Sequence, residues 1–444
     1  MSIPAHLRGR YAYHFTMIDN LDSIIENGLL STNKKVEKGI SHRDVAEQSI
    51  QNRRHTMPVP CSEGKMVHDY IPFYFSKKNA MQLSILNKKN IDQPFLIYFA
   101  IPIEIIEERK GVVFSDSSAN ANEPPNFYDS SEIDKLDSLN WNSINNLSWK
   151  EPSDVCRRQK MAELLVPDML NLSDIDHIIV FNDSIKTVIE EIFIPKKLTP
   201  PTIKLDNKHY YTNYTGNHKS IVTGPYFLKQ EYMSTITYIC QNKSNITKFN
   251  SIKEALNAIS HDFNSIKELN DINDLKANYG PHTDDVGTHS RKVASALTQF
   301  SQYNALNVSD RNIVKLSAYL HDIGKGPKDR WDDETMHQAD NDHAVKSLPM
   351  LKRILTEDIG NLDNETVRKI VMLITYDDLV GDIVAKGRDR KQLLDIITSE
   401  NDLNMLFALG QADMFSIKPW WLTERENELV DLYDYAIASL QPNT

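Results

Sequence analysis

Apolar positions in the first two hundred residues come in short unbroken runs, whereas in the last third they recur every three to four residues. Tyr98-Phe99-Ala100-Ile101-Pro102-Ile103 and His177-Ile178-Ile179-Val180-Phe181 are β-branched and aromatic stretches bounded by turn formers, the pattern of buried strands. Residues 20–28 predict a short helix instead, with Leu21, Ile24 and Ile25 on one side and Gly28 as its stop. This half therefore reads as α+β. Further on, Val293, Leu297 and Phe300 fall at helical spacing, and Ile313, Leu316 and Leu320 repeat it behind the N-cap candidates Ser309 and Asp310. With more helices expected over 364–375, 390–397 and 403–415, the last third reads as all-α.

Between Ser115 and Trp149 the chain is rich in Ser, Asn and Asp and loses periodicity, which predicts a long surface excursion or lid. Pro200-Pro201 makes a local stop, and no motif is found from about 215 to 275. The expected organisation is a first domain over 1–214, a linker or small insert over 215–275, and a helical domain over 276–444.

A length of 444 residues agrees with two domains, and 40% hydrophobic with 25% charged residues is ordinary globular composition, which excludes a disordered chain. No apolar stretch is long enough to span a bilayer, and Met1-Ser2-Ile3-Pro4 lacks the pattern of a signal peptide, so a cytoplasmic protein is expected. Cys61, Cys156 and Cys240 are too scattered for a disulfide framework or a metal-ligand pair. The net charge of −11 argues against a surface covered in phosphate-binding residues. Locally the balance reverses: residues 51–100 hold seven basic side chains against three acidic ones, a surface suited to a DNA strand, to a pyrophosphate, or simply to solvent.

Four separated segments carry polar residues inside the strand-like half: Tyr13-His14-Phe15-Thr16, Ile50-Gln51-Asn52-Arg53-Arg54, His68-Asp69-Tyr70-Ile71-Pro72-Phe73-Tyr74-Phe75, and Gln159-Lys160-Met161-Ala162-Glu163-Leu164-Leu165-Val166. In order and spacing they resemble the DarT family of DNA ADP-ribosyltransferase toxins, from about Tyr11 to about Tyr211. The resemblance implies an ADP-ribosyltransferase fold that moves ADP-ribose from NAD⁺ to a base of single-stranded DNA. It assigns Glu163 as the carboxylate that stabilises charge at the ribose, and Arg54, the second arginine of its pair, to NAD⁺ contact and a proton-acceptor role. An arginine is nearly always protonated, so its elementary chemistry is that of an electrostatic clamp. His14, Phe15 and Thr16 match the strand that holds nicotinamide, and Ser23 and Leu30 match further NAD⁺-lining positions. The aromatic run reads either as core, the expectation for Phe73 and Phe75, or as a platform for an unpaired base; His68 and Tyr70 are candidates for the DNA side. Lys160-Met161, lying between Gln159 and Ala162-Glu163, departs from the family's pattern.

In the helical third, His289, His321-Asp322 and Asp413 follow the His…His-Asp…Asp order of the HD phosphohydrolase superfamily, which residues from about 280 to 440 resemble. Tyr319-Leu320-His321-Asp322-Ile323-Gly324-Lys325-Gly326 ends an apolar helix at a glycine, as that family's motif does. Imidazoles with hard carboxylates suit a divalent Mn²⁺, Mg²⁺ or Fe²⁺ ion that activates water against a phosphoester. Lys325 would meet a phosphate. His337 and His343 are candidate ligands for a second metal or for substrate, and Asp377 stands where related proteins often carry a histidine.

The function expected is a mono-ADP-ribosyltransferase acting on single-stranded DNA, with thymidine as the base by resemblance, in a toxin or phage-defence role with a possible antitoxin or regulatory partner. Its metal-binding HD half would hydrolyse or sense a nucleotide. The alternative is an HD nucleotide phosphohydrolase whose N-terminal half is a degenerate nucleotide-sensing module.

Overall fold

The computed structural model describes residues 2–42, 48–119, 124–148, 151–212 and 220–440. The chain divides into two compact units: Met1–Asn87 with Ile91–Ile221, and Val222–Thr444 with Lys88–Asn90.

The first unit is built on an eight-stranded sheet. Its strands are β1 (Tyr11–Met17), β2 (Tyr70–Tyr74), β3 (Leu96–Pro102), β4 (Val113–Ser115), β5 (Phe127–Tyr128), β6 (Glu163–Pro167), β7 (His177–Val180) and β8 (Thr202–Leu205). In space they run β8-β7-β3-β1-β2-β6-β4-β5, antiparallel throughout except for the parallel β7–β8 pair. The unbroken apolar runs follow from burial on both faces. One face packs Ile71, Phe73, Phe99, Leu164 and Ile178 against the helix Asp183–Phe193. The other gathers Tyr13, Phe15, Tyr74, Tyr98, Tyr210 and Tyr211. Phe73 and Phe75 are core, as expected.

The short helix forms over Leu21–Asn27 and stops at Gly28, where φ is +76° and ψ is 173°. That region is essentially restricted to glycine. A Cβ there would also meet the Leu170 carbonyl oxygen at 2.7 Å. Among the described residues between 115 and 148 the chain is more ordered than its composition predicts. Phe127–Tyr128 pairs with β4 at the sheet edge, and Ile133, Leu136, Leu139 and Ile144 are buried, four apolar side chains among many polar ones being enough to seat the segment. Trp149 lies outside the described residues.

The second unit is helical. The stretch read as linker or small insert carries the helices Pro225–Gln241, Ile252–His261 and Lys267–Ile272, whose Leu228, Tyr232, Ile239, Leu256, Ile259 and Leu269 belong to this unit's core. The helix Val308–Leu320 begins two to three residues earlier than expected. Its N-cap is Asn307, whose side-chain oxygen accepts from the Asp310 N–H at 2.9 Å, while the Asp310 carboxylate accepts from the Asn307 amide and from Lys369. Asn364–Thr375 forms as expected. The helix expected over 390–397 shrinks to Lys391–Leu394, and Ser399, in extended backbone, caps the helix Glu400–Ile417. No helix among the described residues is long and apolar enough to cross a membrane.

Two candidate active sites

A cavity of about 480 Å³ opens in the first unit beside β1 and the helix Leu21–Asn27. His14, Phe15, Thr16, Ser23, Leu30 and His68 all line it. The His14 Nδ1–H donates to the Pro72 carbonyl at 2.8 Å, and burial pushes this imidazole down to about 4, so it is neutral near pH 7 and offers Nε2 as an acceptor. His68 is fixed in the opposite sense: Nε2 lies 3.0 Å from Gln51 Oε1, so Nε2 carries the proton. Burial, with the nearby positive Arg54, pushes His68 to about 4 as well.

Beside the cavity lies an ion pair. Tyr74 lines the cavity and stands opposite Glu163 in the β2–β6 register. Glu163, the first residue of β6, is fully buried and takes a forked contact from Arg54, each of three N–O distances being 3.0 Å. The Ala119 N–H also donates to Glu163 Oε1, at 3.2 Å, and the Ser115 hydroxyl receives the Glu163 N–H at 3.1 Å. Burial alone would lower the Arg54 pKa, but the Glu163 carboxylate outweighs it and the guanidinium ends above its ordinary range. Arg54 is therefore a fixed positive charge.

In the second unit, side chains from five segments converge. His289 comes from the helix Val286–Ala296, His321-Asp322 from the end of Val308–Leu320, His343 from the start of His343–Arg353, Asp377 from the turn after Asn364–Thr375, and Asp413 from Glu400–Ile417. The Asp413 carboxylate lies 2.9 Å from His289 Nε2 and 3.9 Å from His321 Nε2. Asp322 spans the cluster: Oδ2 is 3.6 Å from His289 and 3.4 Å from His321, while Oδ1 is 3.5 Å from His343. His343 is also 3.0 Å from Asp377. Two triads result, His289–His321–Asp413 and Asp322–His343–Asp377, each with ligand atoms within 4.8 Å of one another. Burial would lower the two inner imidazoles, yet the carboxylates reverse this and raise His321 to about 9 and His343 to about 10. Gly324 lets the turn after Asp322 touch the next helix, since a Cβ would stand 2.0 Å from the His343 carbonyl oxygen.

The family model described as "ssDNA thymidine ADP-ribosyltransferase, DarT" matches residues 13–212, and the HD domain model matches residues 286–392. The chain carries a DarT domain followed by an HD domain. Among similar proteins is a DNA ADP-ribosyl transferase of Thermus sp. (strain 2.9), 29% identical over 178 residues, or 39% of this chain and 82% of that protein. Another, from Thermus aquaticus, is 27% identical over 204 residues, covering 45% and 88%. The solved structure of Thermus sp. 2.9 DarT in complex with ADP-ribosylated ssDNA covers 48% of this chain and 99% of its own, at 24% identity and a TM-score of 0.42.

Within the DarT domain, Tyr70 separates from the other candidates. It shares the Pro72 and Tyr74 face of β2, but at the far end of the strand, where its ring is buried with Met57, Val59 and Val67 instead of facing the cavity. Asn20, Gln51, His55 and Met81 line the cavity and were not foreseen. For Gln51 and His55 a signal existed, because on a helix they share one face at i, i+4, next to Arg54. Arg53 points away: it is exposed, whereas Arg54 is 7% exposed. Arg54→Ala is accordingly expected to abolish ADP-ribosyl transfer and Arg53→Ala to leave most of it, measured as modified oligonucleotide; the reverse order of damage would exclude Arg54 from the site.

Within the HD domain, His343 and Asp377 join the expected His289, His321, Asp322 and Asp413, but His337 does not. It is exposed just beyond the two-residue strand Thr335–Met336. Lys325 is buried with Nζ 2.6 Å from Asp322 Oδ2, so it balances the carboxylate cluster from inside.

Proposed function

We propose that the DarT domain transfers ADP-ribose from NAD⁺ to a base of single-stranded DNA, thymidine being the base named for the family it matches, as a toxin in a toxin–antitoxin or phage-defence system. The observation that carries this reading is the buried Arg54–Glu163 pair set against a cavity lined by His14, Phe15, Thr16, Ser23 and Leu30. In the reaction the bond from the ribose to nicotinamide breaks, a bond from the same carbon to a ring nitrogen of the base forms, and the base loses a proton. Glu163, itself fully buried, stabilises the positive charge that develops on the ribose, a preorganised contribution. Arg54 holds that carboxylate in place and, being permanently charged, favours the deprotonated base without accepting its proton, which passes to water. His14 and Thr16 offer the polar atoms for the nicotinamide carboxamide, while His68 and Gln51 sit where the acceptor strand would approach.

The test is incubation of the full chain with NAD⁺ and a mixed-sequence single-stranded oligonucleotide, followed by intact-mass measurement. The oligonucleotide should gain one ADP-ribosyl mass, with fragmentation placing it on thymidine; an unmodified oligonucleotide overturns the reading.

For the HD domain we propose a divalent cation held by His289, His321, Asp322 and Asp413, with His343 and Asp377 completing a second position through the shared Asp322. The donor set fits: it is hard carboxylate and imidazole, and Asp377 Oδ1 is buried with no hydrogen-bond partner among the described residues. Such a cation supplies Lewis acidity and an activated water for a phosphoester. Lys325 is placed to meet a phosphate oxygen once it leaves Asp322, so the domain would hydrolyse or sense a nucleotide.

A further inference from the structure

Each of the three imidazoles in the HD cluster presents Nε2 to the carboxylates and ties down Nδ1, but not in the same way. His321 Nδ1 lies 2.9 Å from the Ala318 carbonyl, and His343 Nδ1 lies 2.9 Å from the Asp340 carbonyl. Both partners are main chain, three residues back, and come with the local fold. His289 alone depends on a side chain: its Nδ1 lies 2.9 Å from Ser416 Oγ, which comes from a different helix.

Ser416 has one hydroxyl proton, and it is already committed to the Asp413 carbonyl at 2.8 Å. Toward His289 the oxygen can only accept. The imidazole must therefore carry a proton on Nδ1, which leaves Nε2, 2.9 Å from Asp413 Oδ1, as the atom for a metal ion. The relay closes on itself, since His289 and Asp413 are joined both through their facing ligand atoms and through Ser416 behind them.

We infer that Ser416 is a positioning residue of the HD metal site, setting the tautomer and ring orientation of His289 and fixing it relative to Asp413. This rests on the metal reading proposed above. Neither the sequence motif nor the ligand set points to Ser416, because its role arises only where two helices meet. Removing an outer-shell partner of this kind costs roughly 10- to 100-fold in metal affinity.

The test is titration of the metal-free full chain with Mn²⁺, followed by electron paramagnetic resonance of the free ion, for the wild type, Ser416→Ala and Ser416→Thr. Thermal unfolding of the same metal-free samples reports on the fold. Expected are a 10- to 100-fold weaker Mn²⁺ affinity for the alanine variant, recovery toward wild type in the threonine variant, which keeps the hydroxyl, and little change in metal-free unfolding. Wild-type affinity in Ser416→Ala, or equal weakening in both variants, overturns the assignment of Ser416 alone. A wild-type chain that binds no Mn²⁺ overturns the metal reading and this inference with it.

Discussion

Glu163→Gln should reduce base modification by a factor of roughly 10² to 10³, the usual effect of deleting one preorganised charge-stabilising group, while the chain stays folded. Glutamine keeps the volume of the side chain, and its one oxygen can still accept from Arg54 and from the Ala119 N–H at the Oε1 position, but it lacks the negative charge that the proposed reaction sets against the ribose cation. Alanine is the less informative exchange. It would strand the Arg54 guanidinium, only 7% exposed, without its counter-ion, and breaking a buried pair from one side costs roughly 3–5 kcal/mol. Oligonucleotide mass measurement beside a thermal melt separates the two effects: the glutamine variant should lose less thermal stability than the alanine variant and transfer as poorly. Wild-type turnover in that variant would remove Glu163 from the chemistry.

Asp322→Asn should deplete the HD domain of divalent metal, because this one carboxylate reaches both triads, with Oδ2 toward His289 and His321 and Oδ1 toward His343. Loss of a ligand shared by two positions should weaken binding by more than the roughly tenfold minimum seen when an outer-shell partner is lost. Combining it with His321→Ala leaves His289 and Asp413 in the first position, too few fixed groups to hold a labile ion tightly. Lys325 loses its 2.6 Å partner as well, so some loss of thermal stability is expected. Transfer of ADP-ribose from NAD⁺ is proposed for a cavity lined by none of these residues, and should continue. Elemental analysis of the purified variant beside the oligonucleotide assay reads both halves: retained metal refutes the ligand assignment, and lost transfer refutes the independence of the two activities.

Much of this protein was legible without coordinates because its signals are local. Continuous apolar runs mark strands buried on both faces, and Tyr98–Ile103 and His177–Phe181 fall on β3 and β7. The helix ending at Gly28 follows from a glycine-only backbone conformation. The order His289, His321-Asp322, Asp413 is readable because each residue sits on a helix or directly after one. The pairing of Arg54 with Glu163, 109 residues apart, was not legible. Nor was the burial of Tyr70, which depends on how far along β2 the cavity extends, nor the exclusion of His337 while His343 and Asp377 are drawn in.

What the sequence determined by itself, then, is the type of each element and the residue types available for chemistry, since propensity, periodicity and capping act over a few residues. Tertiary structure alone decided which of those residues meet. Glu163 becomes half of a buried ion pair, Asp322 joins two triads, and Ser416 acts behind His289, because side chains far apart in the chain share a low-dielectric interior in which a polar group without a partner is costly.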